Sequence, residues 1–244
     1  MRYLLIFMLL VGLFTFGSRI FHFGSFGFGV SGTGPTRTET RTASDFHAIE
    51  CNIAGDVEVT VSDNFSVEVQ AQENILPILK TEVENGTLKI YFSENVSHSE
   101  GLKVRVSAPA FDQFSLGGSG TIKTTNAIRA EKMEMNVAGS GDIVVLQAEF
   151  GTATASIAGS GSIELGGKAN SLETDIAGSG DIKAKQLTAN SLDVEISGSG
   201  SVTCDVVNNL KASIAGSGDV FYSGQPAVES NVSGSGTVKK LTEQ

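Results

Sequence analysis

The sequence has no tryptophan, only two cysteines, three histidines and four prolines among 244 residues, and 17 basic against 27 acidic side chains. Each scarcity closes off a class of protein. With a formal net charge of −10 and its Lys and Arg scattered, the chain cannot displace counterions along a phosphate backbone, so nucleic acid is excluded as a partner. Cys51 and Cys204 stand 153 positions apart, which is neither a disulfide framework nor a zinc-ribbon spacing. His22, His47 and His98 lie in unrelated contexts with no partner at metal-ligand spacing, so neither a metal nor a cofactor is expected.

Long hydrophobic runs are also absent, except at the N-terminus. Arg2 precedes an uncharged stretch from Tyr3 to Phe16, the pattern of an export signal, and the chain is expected to leave the cytoplasm. Thr15-Phe16-Gly17 is a poor signal-peptidase site. Counted through Arg19 to Phe21, the run at 3–21 also approaches the roughly 20 residues that span a bilayer. A cleaved signal and a retained membrane anchor both remain open for residues 1–21, with the periplasm or cell envelope as destination. Lipid attachment is not expected, because the first cysteine is Cys51. The alternating Phe and Gly of 21–29 suit either the headgroup boundary of a membrane or the remnant of the export segment. Residues 22–43 as a whole are Gly-, Phe- and Thr-rich and are expected to be a linker, since Ser31 to Ser44 cannot build a core.

What the chain has in abundance is glycine, 29 residues, and it is arranged periodically. Gly-Ser-Gly begins at Gly118, Gly139, Gly159, Gly178, Gly198, Gly216 and Gly234, with spacings of 21, 20, 19, 20, 18 and 18. Alternating apolar and polar residues run into each tripeptide and out of it, which is strand patterning on both sides of a tight turn. Such a unit has one apolar face and must stack on copies of itself. The expected fold is all-β, a right-handed parallel β-helix or β-roll solenoid. Seven coils at about 4.8 Å each would make a rod of roughly 30 Å.

Stacking assigns roles to the residues. Leu172, Thr174, Ile176, Ile182 and Ala184 should point inward, with Glu173, Asp175, Lys183 and Lys185 in water. The paired glycines, Gly118 and Gly120, Gly139 and Gly141, Gly159 and Gly161, Gly178 and Gly180, Gly198 and Gly200, Gly216 and Gly218, Gly234 and Gly236, are expected to serve as structural turns, with the intervening serines stacked as a hydroxyl ladder. The residue after each tripeptide reads Thr121, Asp142, Ser162, Asp181, Ser201, Asp219, Thr237, so no two aspartates meet in adjacent coils. Avoidance of like charge explains the alternation. Ile53 to Val57 reads as a decayed copy, which aligns Cys51 with Thr174, and Cys204 aligns with Ala184; both thiols should be buried and too far apart to bridge.

Residues 44–240 thus read as a single solenoid domain, an irregular part at 44–116 followed by the repeat array at 117–240. In the irregular part, strands are expected at Val57 to Val61, Phe65 to Ala71 and Leu102 to Ser107, a short helical turn at Asn74 to Lys80, and a hairpin at Asn85-Gly86. This part should supply a cap over the open end, and Lys239 and Lys240 should blunt the other. The array, together with Phe46-His47-Ala48-Ile49, Gln72-Glu73-Asn74-Ile75-Leu76 and Asn85-Gly86-Thr87-Leu88-Lys89-Ile90, resembles the auto-transporter adhesin head GIN domain family over about residues 44 to 240. The resemblance implies a β-helix-like domain of a bacterial envelope or exported protein, with adhesion as a conjectured role. Unlike a trimeric autotransporter, the sequence shows no heptad stalk and no C-terminal barrel segment.

No catalytic constellation accompanies the repeats. Asp142, Asp181 and Asp219 share one corner but lie in the open, at about 10 Å alternate-coil spacing, and the array's aromatics reduce to Phe150, Phe221 and Tyr222. Calcium turns would need Asp in most copies, whereas Ser or Thr stands in four of seven. The expectation is a non-enzymatic exported protein, adhesin-like or protein-binding, whose partner is an unidentified protein or surface ligand. The alternatives are a structural scaffold within the envelope, with self-association through exposed ends, and, more remotely, a carbohydrate-active enzyme.

Overall fold

The computed structural model describes residues 29–241. The export or anchor segment, His22 and the first part of the Phe-Gly tract lie outside the described residues. The chain continues through β1 (Val30–Ser31), β2 (Thr36–Arg41), β3 (Ala48–Asn52), β4 (Asp56–Val61), β5 (Ser66–Gln72), β6 (Leu79–Glu84), β7 (Thr87–Phe92), β8 (Val96–His98), β9 (Lys103–Ala108), β10 (Gln113–Gly118) and β11 (Thr121–Thr124). The array follows as β12 (Ile128–Gly139), β13 (Asp142–Gly159), β14 (Ser162–Gly178), β15 (Asp181–Gly198), β16 (Ser201–Gly216), β17 (Asp219–Gly224), β18 (Ala227–Gly234) and β19 (Thr237–Lys240).

Parallel pairing runs unbroken from β10 to β19, and the seven Gly-Ser-Gly corners stack in register, Gly118 on Gly139 and so on to Gly216 on Gly234. Seven corners bound six turns of a β-solenoid. Each turn has three faces rather than two strands. In the coil 181–200 the buried residues are Ile182 and Ala184 on the first face, Leu187 and Ala189 on the second, and Leu192, Val194 and Ile196 on the third. Outward-facing pairs at Lys185-Gln186 and Asn190-Ser191 break the alternation and mark the two further corners. Coil length varies only there. The register slips between Ala184 and Thr188 and between Ala189 and Ser191, while the first and third faces hold theirs. The core is consequently a set of columns, such as Val137, Ile157, Ile176, Ile196 and Ile214, all 2% exposed or less.

The irregular part departs from chain order. The coil of β3 and β4 lies between the later coil of β7 and β9 on one side and that of β10 and β11 on the other. The chain therefore lays down its second coil first, adds the terminal coil, and returns past it to begin the array. Phe46, Phe111 and Phe114 fill the interior at this return, with ring centroids 6.4 and 5.6 Å apart along that series. The end is closed by antiparallel strands. β6 pairs with β7 through a two-residue turn at Asn85 and Gly86, whose φ values of 52° and 77° suit a primed hairpin turn. β5 pairs with β9, and β2 pairs with β5.

One expectation fails in this region and one is refined. Residues 36–41, expected to be linker, form β2: an edge strand needs backbone partners rather than a core, and its Thr, Arg and Glu side chains stay outside as a blunted edge. Cys51 stands in the column of Ile176 rather than Thr174, because it pairs with Leu116, and Asn52 to Gly55 take the place of a full Gly-Ser-Gly corner. The two-residue shift preserves the side chain's face, and Cys51 remains fully buried. Asn74 to Lys80 makes the expected short helical turn, with i to i−4 bonds from Leu76 N to Gln72 O and from Leu79 N to Ile75 O, and it does not extend into a helix.

Candidate functional site: the outer columns of the solenoid

Because every third-face strand is in register, outward side chains form straight columns. At the corner itself the ladder is made by backbone. The N–H of Ser179 donates to the carbonyl of Gly159 at 2.8 Å, that of Ser199 to Gly178 at 2.8 Å and that of Ser217 to Gly198 at 2.8 Å. The serine hydroxyls, expected to form the ladder, face water instead. The first glycine of each pair, from Gly118 to Gly234, has φ between 103° and 138°. The second glycines, Gly120 to Gly236, turn inward where a Cβ would meet the preceding coil; at Gly180 it would fall 2.6 Å from the Ile157 side chain.

The column after the corner shows why hydroxyl and carboxylate alternate. Ser162 donates to Asp142 at 2.6 Å, Ser201 to Asp181 at 2.6 Å and Thr237 to Asp219 at 2.5 Å. Avoided repulsion is half of the explanation. A hydroxyl in the next coil also gives each carboxylate a charge-assisted bond, which a second carboxylate could not. These aspartates are occupied in holding coils together, which supports the structural reading of them over a catalytic one. On the second face Glu149 accepts from Arg129 at 2.9 Å and from Lys168 at 2.9 Å, and this flanking by cations holds its carboxyl below the usual range.

The third face carries a cluster of four carboxylates with one cation beside it. Register places Glu173 beside Asp193 and Asp175 beside Glu195, a two-by-two block of carboxylates. Lys211 meets it at one corner, 3.3 Å from Asp193. Burial against the sheet pushes the Asp175 carboxyl up to about 6, and Glu195, Glu173 and Asp193 add like-charge repulsion. Beside this block a shallow groove runs along the corner between the second and third faces, lined by Ser171, Glu173, Ser191, Asp193, Asn209 and Lys211 and reaching Val228 and Glu229 at the open end. It presents hydroxyls, an amide and carboxylates at coil spacing on a rigid surface. The quartet was missed in the sequence, although Glu173-Thr174-Asp175 and Asp193-Val194-Glu195 stand 20 residues apart in two successive repeats. Aligning the repeats by their corners would have found it.

The histidines lie elsewhere. His47 Nδ1 is 2.8 Å from Asp112, and His98 Nε2 is 3.5 Å from Glu100, both on the surface of the irregular part. Cys51 and Cys204 are free and buried. Burial pushes the two thiols up to about 11 and about 12 respectively, out of the reactive range.

These observations define a parallel β-solenoid repeat protein with one capped end, straight polar columns and a shallow groove. The family described as "Putative auto-transporter adhesin, head GIN domain" matches residues 45–226, and the chain belongs to it. Among solved structures it is similar to a putative adhesin from Bacteroides fragilis NCTC 9343, at TM-score 0.79 and 22% identity over 87% of this chain and 100% of that one. A structure named as a putative lipid binding protein from Parabacteroides distasonis ATCC 8503 superposes at TM-score 0.75 and 27% identity, over 87% of this chain and 99% of that one. A putative adhesin from Parabacteroides merdae ATCC 43184 does so at 0.73 and 26%, over 87% and 99%. No curated protein matches the chain.

Proposed function

We propose that this is an exported, non-enzymatic envelope protein that binds a surface ligand through the third face of its solenoid. The observation that carries the reading is the carboxylate block and its groove, held in register by six stacked turns. Rigid, evenly spaced polar groups meet a repeating ligand without the entropy cost of ordering loops. The groove is open to solvent and lacks the stacking rings and enclosed acid–base pair of a glycoside-cleaving cleft. Family membership supports the adhesin-like role, and the apolar run at 3–21 supports export.

Two measurements test it together. An epitope tag after Gln244 should label on intact cells of the native organism. Label only after permeabilisation would overturn the adhesin reading in favour of an internal scaffold. The purified chain should bind an immobilised glycan or matrix-protein panel, and Glu173→Ala with Asp193→Ala should weaken that binding at least tenfold. Binding unchanged by the double substitution would remove the third face from the proposal, and binding to lipid vesicles alone would replace the ligand class.

A further inference from the structure

The two ends of the solenoid are finished differently. At one end β5 and β6 run antiparallel to the coils, β2 lies antiparallel on β5, and together they close the core with polar side chains outward. At the other, Val228 and Val232 occupy the register positions of Leu210 and Ile214, which are each 1% exposed one coil further in. Val228 and Val232 are 42% and 38% exposed. Among the described residues β18 pairs with β16 alone, so one full edge of backbone donors and acceptors is unpaired. Lys239 and Lys240 blunt β19 on the first face and leave β18 uncovered. An unpaired strand edge with two uncovered valines is a template for another strand.

The order of residues along β18 specifies which strand fits. We propose that the end docks a second copy of this chain, the two β18 strands pairing antiparallel about a two-fold axis through Ser230. The sequence Val228-Glu229-Ser230-Asn231-Val232 is chemically palindromic about its centre. In that register Val228 faces the partner's Val232 on the core side, extending the column of Leu210 and Ile214 across the junction. On the outer side Glu229 faces the partner's Asn231, a carboxylate opposite an amide donor. A register centred on Glu229 would set that carboxylate against its own copy, and one centred on Asn231 would set Val232 against Ser230. An isologous contact closes at two copies.

The helical step of the end agrees with the same operation. The two-fold exchanges the first and second faces, so the ledge made by β19 in one copy meets the short second-face segment 224–226 of the other. Lys239 and Lys240 then approach the face that carries Asp205, opposite in sign. Continuation head to tail would set β18 against β6, which closes the third face at the other end and runs antiparallel to the coils, with Glu82 and Glu84 exposed, rather than offering a matching coil.

The test places a thiol at the axis. Full-length Ser230→Cys in mild detergent should form a disulfide-linked dimer under gentle oxidation, since Cβ atoms of directly opposed residues lie close enough to bridge. Cys51 and Cys204 are buried and do not compete. Ser179→Cys, at an exposed mid-rod corner, should remain monomeric. Adding Val228→Lys and Val232→Lys to Ser230→Cys should reduce cross-linking at least tenfold, and in sedimentation should return the protein from twice the chain mass to the monomer. Both valines are already substantially exposed, and far-UV circular dichroism confirms that the variant folds. Absence of the Ser230→Cys dimer, equal cross-linking at Ser179→Cys, or cross-linking indifferent to the lysines overturns the proposal.

Discussion

Replacing Gly178 with alanine measures how much of this fold depends on the geometry of its corners. Gly178 has φ of 132°, and a Cβ there would sit 2.4 Å from the carbonyl oxygen of Gly159 in the preceding coil. That oxygen is fixed, because it accepts the N–H of Ser179 at 2.8 Å. Two costs add: strain of an L-residue in this backbone region, about 2 kcal/mol, and overpacking against backbone, about 2 kcal/mol. Gly118 separates them. It has φ of 103°, but nothing lies within 4 Å of its Cβ position, because the coil below it has no matching glycine corner. Gly118→Ala should therefore cost only the strain, about 2 kcal/mol, against about 4 kcal/mol for Gly178→Ala. In urea unfolding followed by circular dichroism, with an m-value of about 3 kcal/mol/M, the midpoints should fall by roughly 0.7 and 1.3 M. Equal losses at the two positions would show that the contact with Gly159 contributes nothing, and a neutral Gly178→Ala would refute the account of the corner altogether.

Asp175 gives a pH dependence of unusual sign. Its carboxyl titrates at about 6 in the fold and near 3.9 in an unfolded chain, so the native state binds the proton more tightly between these values. Stability from this group is greatest below about pH 4 and is lost as pH rises through 6. Asp175→Asn should melt higher than the parent protein at pH 7.5 and equally at pH 4, the difference between variants cancelling every other titration; a lower melting point at pH 7.5 would contradict the assignment. The two thiols should be silent toward a thiol reagent at pH 8 in the native protein and both react after unfolding, because neither forms thiolate while buried. Titration of either one in the native state would show that its coil opens.

The array was legible because its contacts are written at a fixed offset. A residue 18 to 21 positions away is the neighbour in space, so Leu172, Thr174 and Ile176 could be set inward from pattern alone. The alternation of Asp with Ser or Thr was visible too, but its positive cause, a hydroxyl of the next coil on each carboxylate, needed the atoms. The second face escaped notice since Leu187 and Ala189 are flanked by corners of variable length, which interrupt the period-two signal. The irregular part has no offset to read. Nothing in the sequence of Ser66 to Gln72 states that it runs antiparallel to β9, or that Thr36–Arg41 joins it.

The 18- to 21-residue repeat already specifies the solenoid, its corners and the face on which each repeat residue lies, because repetition converts local alternation into long-range contact. The swapped order of the first coils, the antiparallel closure of one end and the bare edge of the other emerge only in the folded chain. So does the meeting of Glu173, Asp175, Asp193 and Glu195 beside one groove. Each of these depends on which strand stops beside which, and hydrogen bonding between strands is blind to side-chain pattern once the repeat ends.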